Sequence, residues 1–294
     1  MMNKPEPDGV TTDFSDCADD AYYYEAVLWA SSSNVNITAG TGGGKFSPTR
    51  TLTMAEVFTF LYTFSYYCGY SSKTTSEINS FTNAFENSAL THKSEFPSYS
   101  KAGTGWAYVK GFISNNSIKY NDICKRSDIA KMVYHFYCTF QNKYAVSVVS
   151  TSNMSYAASC GNAMKNLFEH YGVSNSLYYT DISKAGFASA MSSAFSKAKR
   201  LDICYIFCQS HGGRSGLALY SDTVLTPAYL REQIDLYKGT FVVFVAGCHT
   251  GTYISRSTTS ADDVFDAEAF LSGLMSTTNS NGDIVEGSNL TGTT

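Results

Sequence analysis

Between residues 143 and 251 short apolar runs alternate with amphipathic stretches, and that alternation restricts the fold more than any other feature of the chain. "KYAVSVVSTS" (143–152) has the β-branched content and small-polar alternation of a strand. "CGNAMKNLFEHYG" (160–172) predicts a helix, with Ala163, Met164, Leu167 and Phe168 on one face and a glycine stop. "SLYYTD" (176–181) reads as a short strand. "SKAGFASAMSSAFSKAKRL" (183–201) reads as a helix with Phe187, Met191 and Phe195 spaced four apart. A third strand, "DICYIFCQSHGG" (202–213), precedes a helix, "LTPAYLREQIDLYKG" (225–239), opened by Thr226-Pro227. "FVVFVAGCHTG" (241–251) reads as a fourth, core strand. Such alternation predicts βαβ units with right-handed crossovers and a mostly parallel sheet covered on both faces, a three-layer sandwich.

In sheets of this kind chemistry collects at the carboxyl ends of the strands. Strand three ends in Ser210-His211-Gly212-Gly213 and strand four in Gly247-Cys248, on the same predicted edge. A cysteine and a histidine on adjacent strand ends are the minimal equipment for nucleophilic acyl transfer. Cys248 is the candidate nucleophile and His211 the candidate general acid/base. The backbone N–H groups of Gly212 and Cys248 are candidate oxyanion-hole donors, worth about 3–4 kcal/mol each. The flanking glycines let the strand ends turn and let substrate backbone come close. His249 either orients the nucleophile or faces solvent. Cys204 and Cys208, four apart on a strand, share a face that His211 does not. No metal site and no cofactor are expected.

These residues carry a resemblance. "QSHGG" together with "VFVAGCHTG" resembles the caspase-like (clan CD) cysteine peptidases, in wording most the metacaspase and clostripain-like branches, over about residues 143–270. The spacing of 37 positions from His211 to Cys248 is of the order of the ~50 seen in caspases. The resemblance implies a caspase-like α/β fold, a peptide or protein substrate and a Cys248–His211 dyad. Metacaspases and clostripain carry an aspartate two residues before the cysteine to bind a basic side chain; Ala246 stands there, which leaves specificity for arginine or lysine without support. Asp262, Asp263 and Asp266 either supply that charge or form a solvated turn. After a predicted helix at 265–276 the chain runs out in a serine- and threonine-rich stretch, whereas the family's sheet continues. The expectation is a chain cut at Thr294, or a missing piece released by processing.

The first half reads as helices and loops. "DDAYYYEAVLWASSS" (19–33) puts Tyr23, Ala26, Val27 and Ala30 at helical spacing. "TMAEVFTFLYTFSYYCG" (53–69) opens with a Thr53/Glu56 capping box, continues on Val57, Leu61 and Phe64, and stops at Gly69. "YSKAGTGWAYVKGFIS" (99–114), a polar loop and "CKRSDIAKMVYHFYC" (124–138) repeat the pattern, so Trp29 and Trp106 mark two copies of helix, loop, helix. Both tryptophans also fit plain core packing. "AVLWA", "ITAGTGGGKFSP" and "TMAEVFTFLY" resemble the S-layer homology (SLH) module, with a looser second copy. That resemblance implies all-α SLH-type repeats anchoring a secreted bacterial protein to cell-wall polysaccharide. The arginine of the family's Thr-Arg-Ala-Glu signature is Met54 in the first copy and Arg126 in the second, which makes Arg126 the candidate wall-polymer contact. "GTGGGK" (40–45) lacks the hydroxyl residue and preceding strand of a phosphate loop.

The expected organisation is a tail (1–16), tandem SLH-like modules (17–141) and a caspase-like peptidase domain (142–294). A net charge of −4 argues against a nucleic-acid partner. No apolar run approaches the ~18 residues of a transmembrane helix. Low charge, 16%, with 22 tyrosines suggests a carbohydrate-facing surface. Eight cysteines without a C-x-x-C pair predict mostly buried free thiols. The leading expectation is a secreted, cell-wall-associated cysteine endopeptidase. The alternatives are a wall-anchored surface binding protein with an inactive or incomplete peptidase fold, or a zymogen that cleaves itself.

Overall fold

The structure is a computed structural model that describes residue 7 and residues 9–247, apart from residues 153, 155, 214, 215, 221 and 222. The chain divides into two compact units, Met1–Gln141 and Asn142–Thr294.

The first unit holds helices α1 (Tyr24–Ser31), α2 (Met54–Tyr67), α3 (Thr75–Glu86), α4 (Lys101–Val109) and α5 (Arg126–Phe140). Helix α2 starts where the capping box predicts. Thr53 Oγ1 accepts from Glu56 N, Glu56 Oε2 accepts from Thr53 N at 2.9 Å, and Arg50 Nη2 holds the other carboxylate oxygen at 2.6 Å. At α5 only half of that device exists: Asp128 Oδ2 accepts from Lys125 N at 3.0 Å, and a lysine side chain has nothing to accept with. The segments entering these two helices pair with each other, Met54 N to Asp122 O and Cys124 N to Leu52 O, both at 2.8 Å.

Aromatic rings fill this core. Trp106 is buried, stacks on Phe112 and Phe140 with centroids 4.9 and 5.9 Å away, and lies beside Phe136. Trp29 is half-buried and edge-on to Tyr67. Helix α1 is short and buries Val27 but leaves Ala26 exposed. Helix α3 falls in a stretch to which the sequence reading assigns no element, although Thr74 at its N-cap accepts from Glu77 N and Phe85 is buried. Helix α4 can cross its neighbours closely because it carries Gly103 and Gly105. A Cβ on Gly105 would lie 1.9 Å from Phe81 O. The residues read as a tail enter the unit: Phe14 is buried against Phe46, and the Asp16 carboxylate accepts from Phe46 N and Ser47 N at 2.8 and 2.9 Å.

The second unit runs β1 (Lys143–Val149), α6 (Ala157–His170), β2 (Asn175–Thr180), α7 (Lys184–Phe195), β3 (Ile203–Ser210), β4 (Gly212–Gly213), β5 (Gly216–Ala218), β6 (Val224–Leu225), α8 (Pro227–Ile234) and β7 (Thr240–Gly247). Four strands form a parallel sheet in the order β2-β1-β3-β7. The two faces bury alternate residues of each strand, as period-two geometry requires. On one face Val146, Val148, Cys204, Ile206 and Cys208 pack with Phe187, Met191 and Phe195 of α7 and Leu230 and Ile234 of α8. On the other, Ala145, Val149 and Phe207 pack with Ala157 and Phe168 of α6. This is an α/β region with helices on both sides of a mostly parallel sheet, compatible with a three-layer sandwich.

Several features differ from the sequence expectation; the helix read as 225–239 spans only Pro227–Ile234, with Leu225 in β6. The third strand stops at Ser210, and Gly212-Gly213 belongs to a separate antiparallel sheet, β4-β5-β6. Two- and three-residue strands are too short to show a period in sequence. The helix read as 183–201 ends at Phe195. And β7, read as a core strand, is half-buried with Phe244 41% exposed, because β3 lies on one side of it and no described strand on the other.

The described cysteines are free thiols, but fewer are buried than the sequence suggests. Cys68, Cys204 and Cys208 are buried, Cys17, Cys124 and Cys160 partly so, and Cys138 is exposed. Among the described residues no helix is long and apolar enough to cross a membrane.

Candidate active site

In the order β2-β1-β3-β7 the winding reverses between β1 and β3, since β2 lies on one side of β1 and the later strands on the other. Open α/β sheets bind ligands in the crevice outside the carboxyl ends at such a switch point. A cleft of about 610 Å³ opens there. It is lined by Ser150, Thr151 and Ser152 after β1, Asp181 after β2, His211 after β3, and Ala218, Leu219, Tyr220, Thr223 and Val224 from the small sheet and its loop.

His211 stands where the chain leaves one sheet for the other. Its carbonyl accepts from Ala218 N at 2.8 Å, starting the pairing with β5, and the Ser210 hydroxyl donates to Ala218 O. Its side chain is half-buried, and Nε2 lies 3.0 Å from the carbonyl oxygen of Ser152. A carbonyl only accepts, so Nε2 carries the hydrogen, and Nδ1 is the proton-accepting nitrogen of the neutral ring.

Antiparallel pairs alternate between bonded and non-bonded, and the His211–Ala218 pair is bonded. The next pair, Gly212–Leu217, is therefore of the non-bonded kind, and the Gly212 N–H points away from β5. Among the described residues it has no acceptor.

The parallel register matches Ser210 with Gly247. A Cβ added to Gly247 would lie 3.8 Å from Gly212 Cα and 3.3 Å from Leu217 Cδ2, so the glycine pair at the start of β4 and the end of β7 are neighbours. Cys248 follows Gly247 in the chain and lies outside the described residues, as do His249, Asp262, Asp263, Asp266 and the helix read at 265–276. Ala246, where the resemblance would place an aspartate, is half-buried against the α6-side core.

Cys204 and Cys208 share one face and are buried. Burial pushes the Cys208 thiol up to about 12 and the Cys204 thiol up as well, Cys204 also lying near Asp202. Thiols so raised are protonated and inert at neutral pH. Among the described residues no group of three or more acidic, cysteine or histidine side chains could hold a metal ion.

Arg126, in the first unit, is exposed at the start of α5, and no described residue bonds to its side chain.

Two groups at the cleft went unnoticed in the sequence. The Asp181 carboxylate accepts from Thr151 N at 2.7 Å and from the Thr151 hydroxyl, and it anchors the loop whose next residue offers its carbonyl to His211. The only advance signal is polar residues directly after two strands, "STS" after β1 and an aspartate after "YYT".

Compared with protein-family models and with curated proteins, the chain matches none.

Proposed function

We propose that the second unit is a cysteine endopeptidase of the caspase-like kind, with Cys248 as nucleophile and His211 as general acid/base. One observation carries this reading. The β3–β7 register sets Ser210 beside Gly247, and the residues that follow them in the chain are His211 and Cys248.

His211 Nδ1 takes the proton of the Cys248 thiol, and the thiolate attacks the carbonyl carbon of the scissile peptide. The oxyanion accepts from the Gly212 N–H, supported as a donor by its lack of an acceptor among the described residues, and from the Cys248 N–H. The imidazolium then protonates the leaving amine as the C–N bond breaks. Water gives a proton back to His211, its oxygen adds to the thioester carbon, and the C–S bond breaks. The thiolate leaves, and the acid product departs. The fixed Nε2–H tautomer supports the base role of Nδ1. Ala246 and the half-buried β7 leave the side-chain preference of the site open to measurement.

For the first unit, wall-polysaccharide binding by SLH-type repeats is the accompanying proposal, supported by the paired entry segments of α2 and α5 and by the exposed Arg126 guanidinium, to which no described residue bonds. It implies a secreted protein at the cell surface.

Incubating wild type and Cys248→Ala with a complex peptide mixture tests the enzyme reading. New peptide termini in the wild-type reaction and none with the variant are expected. No new termini with wild type, under reducing conditions and with peptidyl electrophiles of basic, Asn and Asp specificity also unreacted, would overturn it in favour of a surface binding protein. Retention on purified wall material that falls with Arg126→Ala tests the anchor.

A further inference from the structure

The cleft holds a second set of contacts that the dyad alone does not use. Asp181 adopts φ +50°, a left-handed conformation that aspartate tolerates better than most residues. Its own N–H extends the β1–β2 pairing by one step, donating to Val149 O at 3.0 Å. The left-handed turn then directs the carboxylate back over the end of β1, where Thr151 meets it with both its N–H and its hydroxyl. Hydrogen bonds to an ionised acceptor are shorter and stronger than neutral ones. The Thr151 carbonyl is held as well, by Met154 N at 3.0 Å. With Thr151 anchored at both ends, the following carbonyl, Ser152 O, is aimed at His211 Nε2.

We propose that Asp181 is a positioning residue that fixes the tautomer and orientation of His211 through Thr151 and the Ser152 carbonyl. The proposal rests on the hydrolase reading for its catalytic meaning. Its structural content, a single ring tautomer imposed from the end of β2, stands apart from whether Cys248 reacts. Asp181 does not touch substrate; it acts through a loop. The effect runs through the loop geometry: the Ser152 carbonyl holds Nε2–H and leaves Nδ1 as the proton-accepting nitrogen.

The test uses nitrogen-15 histidine NMR on the full chain, whose five histidines allow the His211 signals to be assigned by difference with His211→Gln. Wild type is expected to show the Nε2–H tautomer at a pH where the ring is neutral. Asp181→Asn keeps the left-handed turn and one acceptor oxygen but loses the second acceptor. Thr151→Val removes the hydroxyl, and Thr151→Ser restores it. Asp181→Asn and Thr151→Val should give mixed tautomers with peptide hydrolysis reduced roughly 10- to 100-fold, the range expected for a misplaced catalytic group. Thr151→Ser should match wild type in both readouts. A single Nε2–H tautomer with unchanged hydrolysis in both Asp181→Asn and Thr151→Val overturns the proposal. Mixed tautomers in those variants, with no hydrolysis by wild type either, would keep the positioning role and remove the hydrolase reading.

Discussion

Each unit contains a histidine whose Nε2 meets a backbone carbonyl, and the two settings differ in what they allow. In the first unit His135 lies on α5, 2.8 Å from Lys110 O, with its ring edge-on to Phe112 at 4.5 Å. It borders a cleft of about 560 Å³ walled by Phe58, Met132 and Ile118. In the second unit His211 makes the same kind of bond at 3.0 Å, but it sits where a parallel sheet ends and a short hairpin begins. Strand ends converge there, a glycine N–H lacks a described acceptor, and a carboxylate steadies the loop that holds the ring. A hydrogen bond to a carbonyl is a common way to satisfy a histidine; convergence of strand ends around it is what sets the second one apart.

The largest effect that sharpens this contrast is on turnover. Cys248→Ala should lower peptide hydrolysis by about 10⁴-fold or more, and His211→Ala by roughly 10²- to 10⁴-fold. His135→Ala should leave it unchanged; a loss equal to that of His211→Ala would break the contrast. These are read as kcat/KM on a cleavable peptide.

The next effect is on stability. In the first unit Gly105 faces a backbone oxygen, 1.9 Å from where a Cβ would sit, and backbone cannot rotate away. In the second unit the same addition at Gly161 meets the Tyr178 ring at 2.5 Å and Val149 Cγ1 at 2.7 Å, side-chain atoms that can shift. Gly105→Ala should therefore cost about 3 kcal/mol or more and Gly161→Ala about 1–2 kcal/mol, measured by denaturant unfolding. Equal costs would show that close helix approach does not distinguish the two cores.

The smallest effect is in acid, in the first unit. Burial raises the Glu56 carboxyl, but the Arg50 guanidinium and the Thr53 groups outweigh it, so its pKa is lowered; Glu77 is lowered by the Ser71, Ser72 and Lys73 donors against the same opposing burial. A depressed carboxyl contributes stability above its unfolded pKa of about 4.3 and loses it as pH falls through the lower folded value. The melting temperature of this unit should drop below about pH 4.3, and Glu56→Gln should flatten that limb. An unchanged slope in Glu56→Gln would remove the Arg50–Glu56 pair from the account.

How far the sequence carried depended on length. The long periodic segments were legible: α7 with Phe187, Met191 and Phe195 all buried, α2 with its Thr53/Glu56 box, and the alternation that implies a parallel sheet. The hairpin after His211 was not, because three strands of two or three residues carry no period. Helix α3 was missed although its cap was present, since its polar residues outnumber the large apolar ones, Ile78, Phe81 and Phe85, that mark a face. At the cleft, His211 stands at the end of β3 as the strand-end pattern expects, whereas no pattern in the sequence points to Asp181 and Thr151. Their meeting depends on two strands 30 residues apart finishing side by side, a relation only the register supplies.

The central claim is that an imidazole at the end of β3 activates a thiol one residue past the end of β7. The most direct measurement is the alkylation rate of each cysteine in the native protein, mapped by mass spectrometry as a function of pH, in wild type and His211→Ala. Exposed Cys138 serves as the reference and buried Cys204 and Cys208 as protected controls. Cys248 should react at least about 10-fold faster than Cys138 at neutral pH, and that advantage should vanish in His211→Ala. A Cys248 no faster than Cys138, or one whose rate ignores the loss of His211, would contradict the claim.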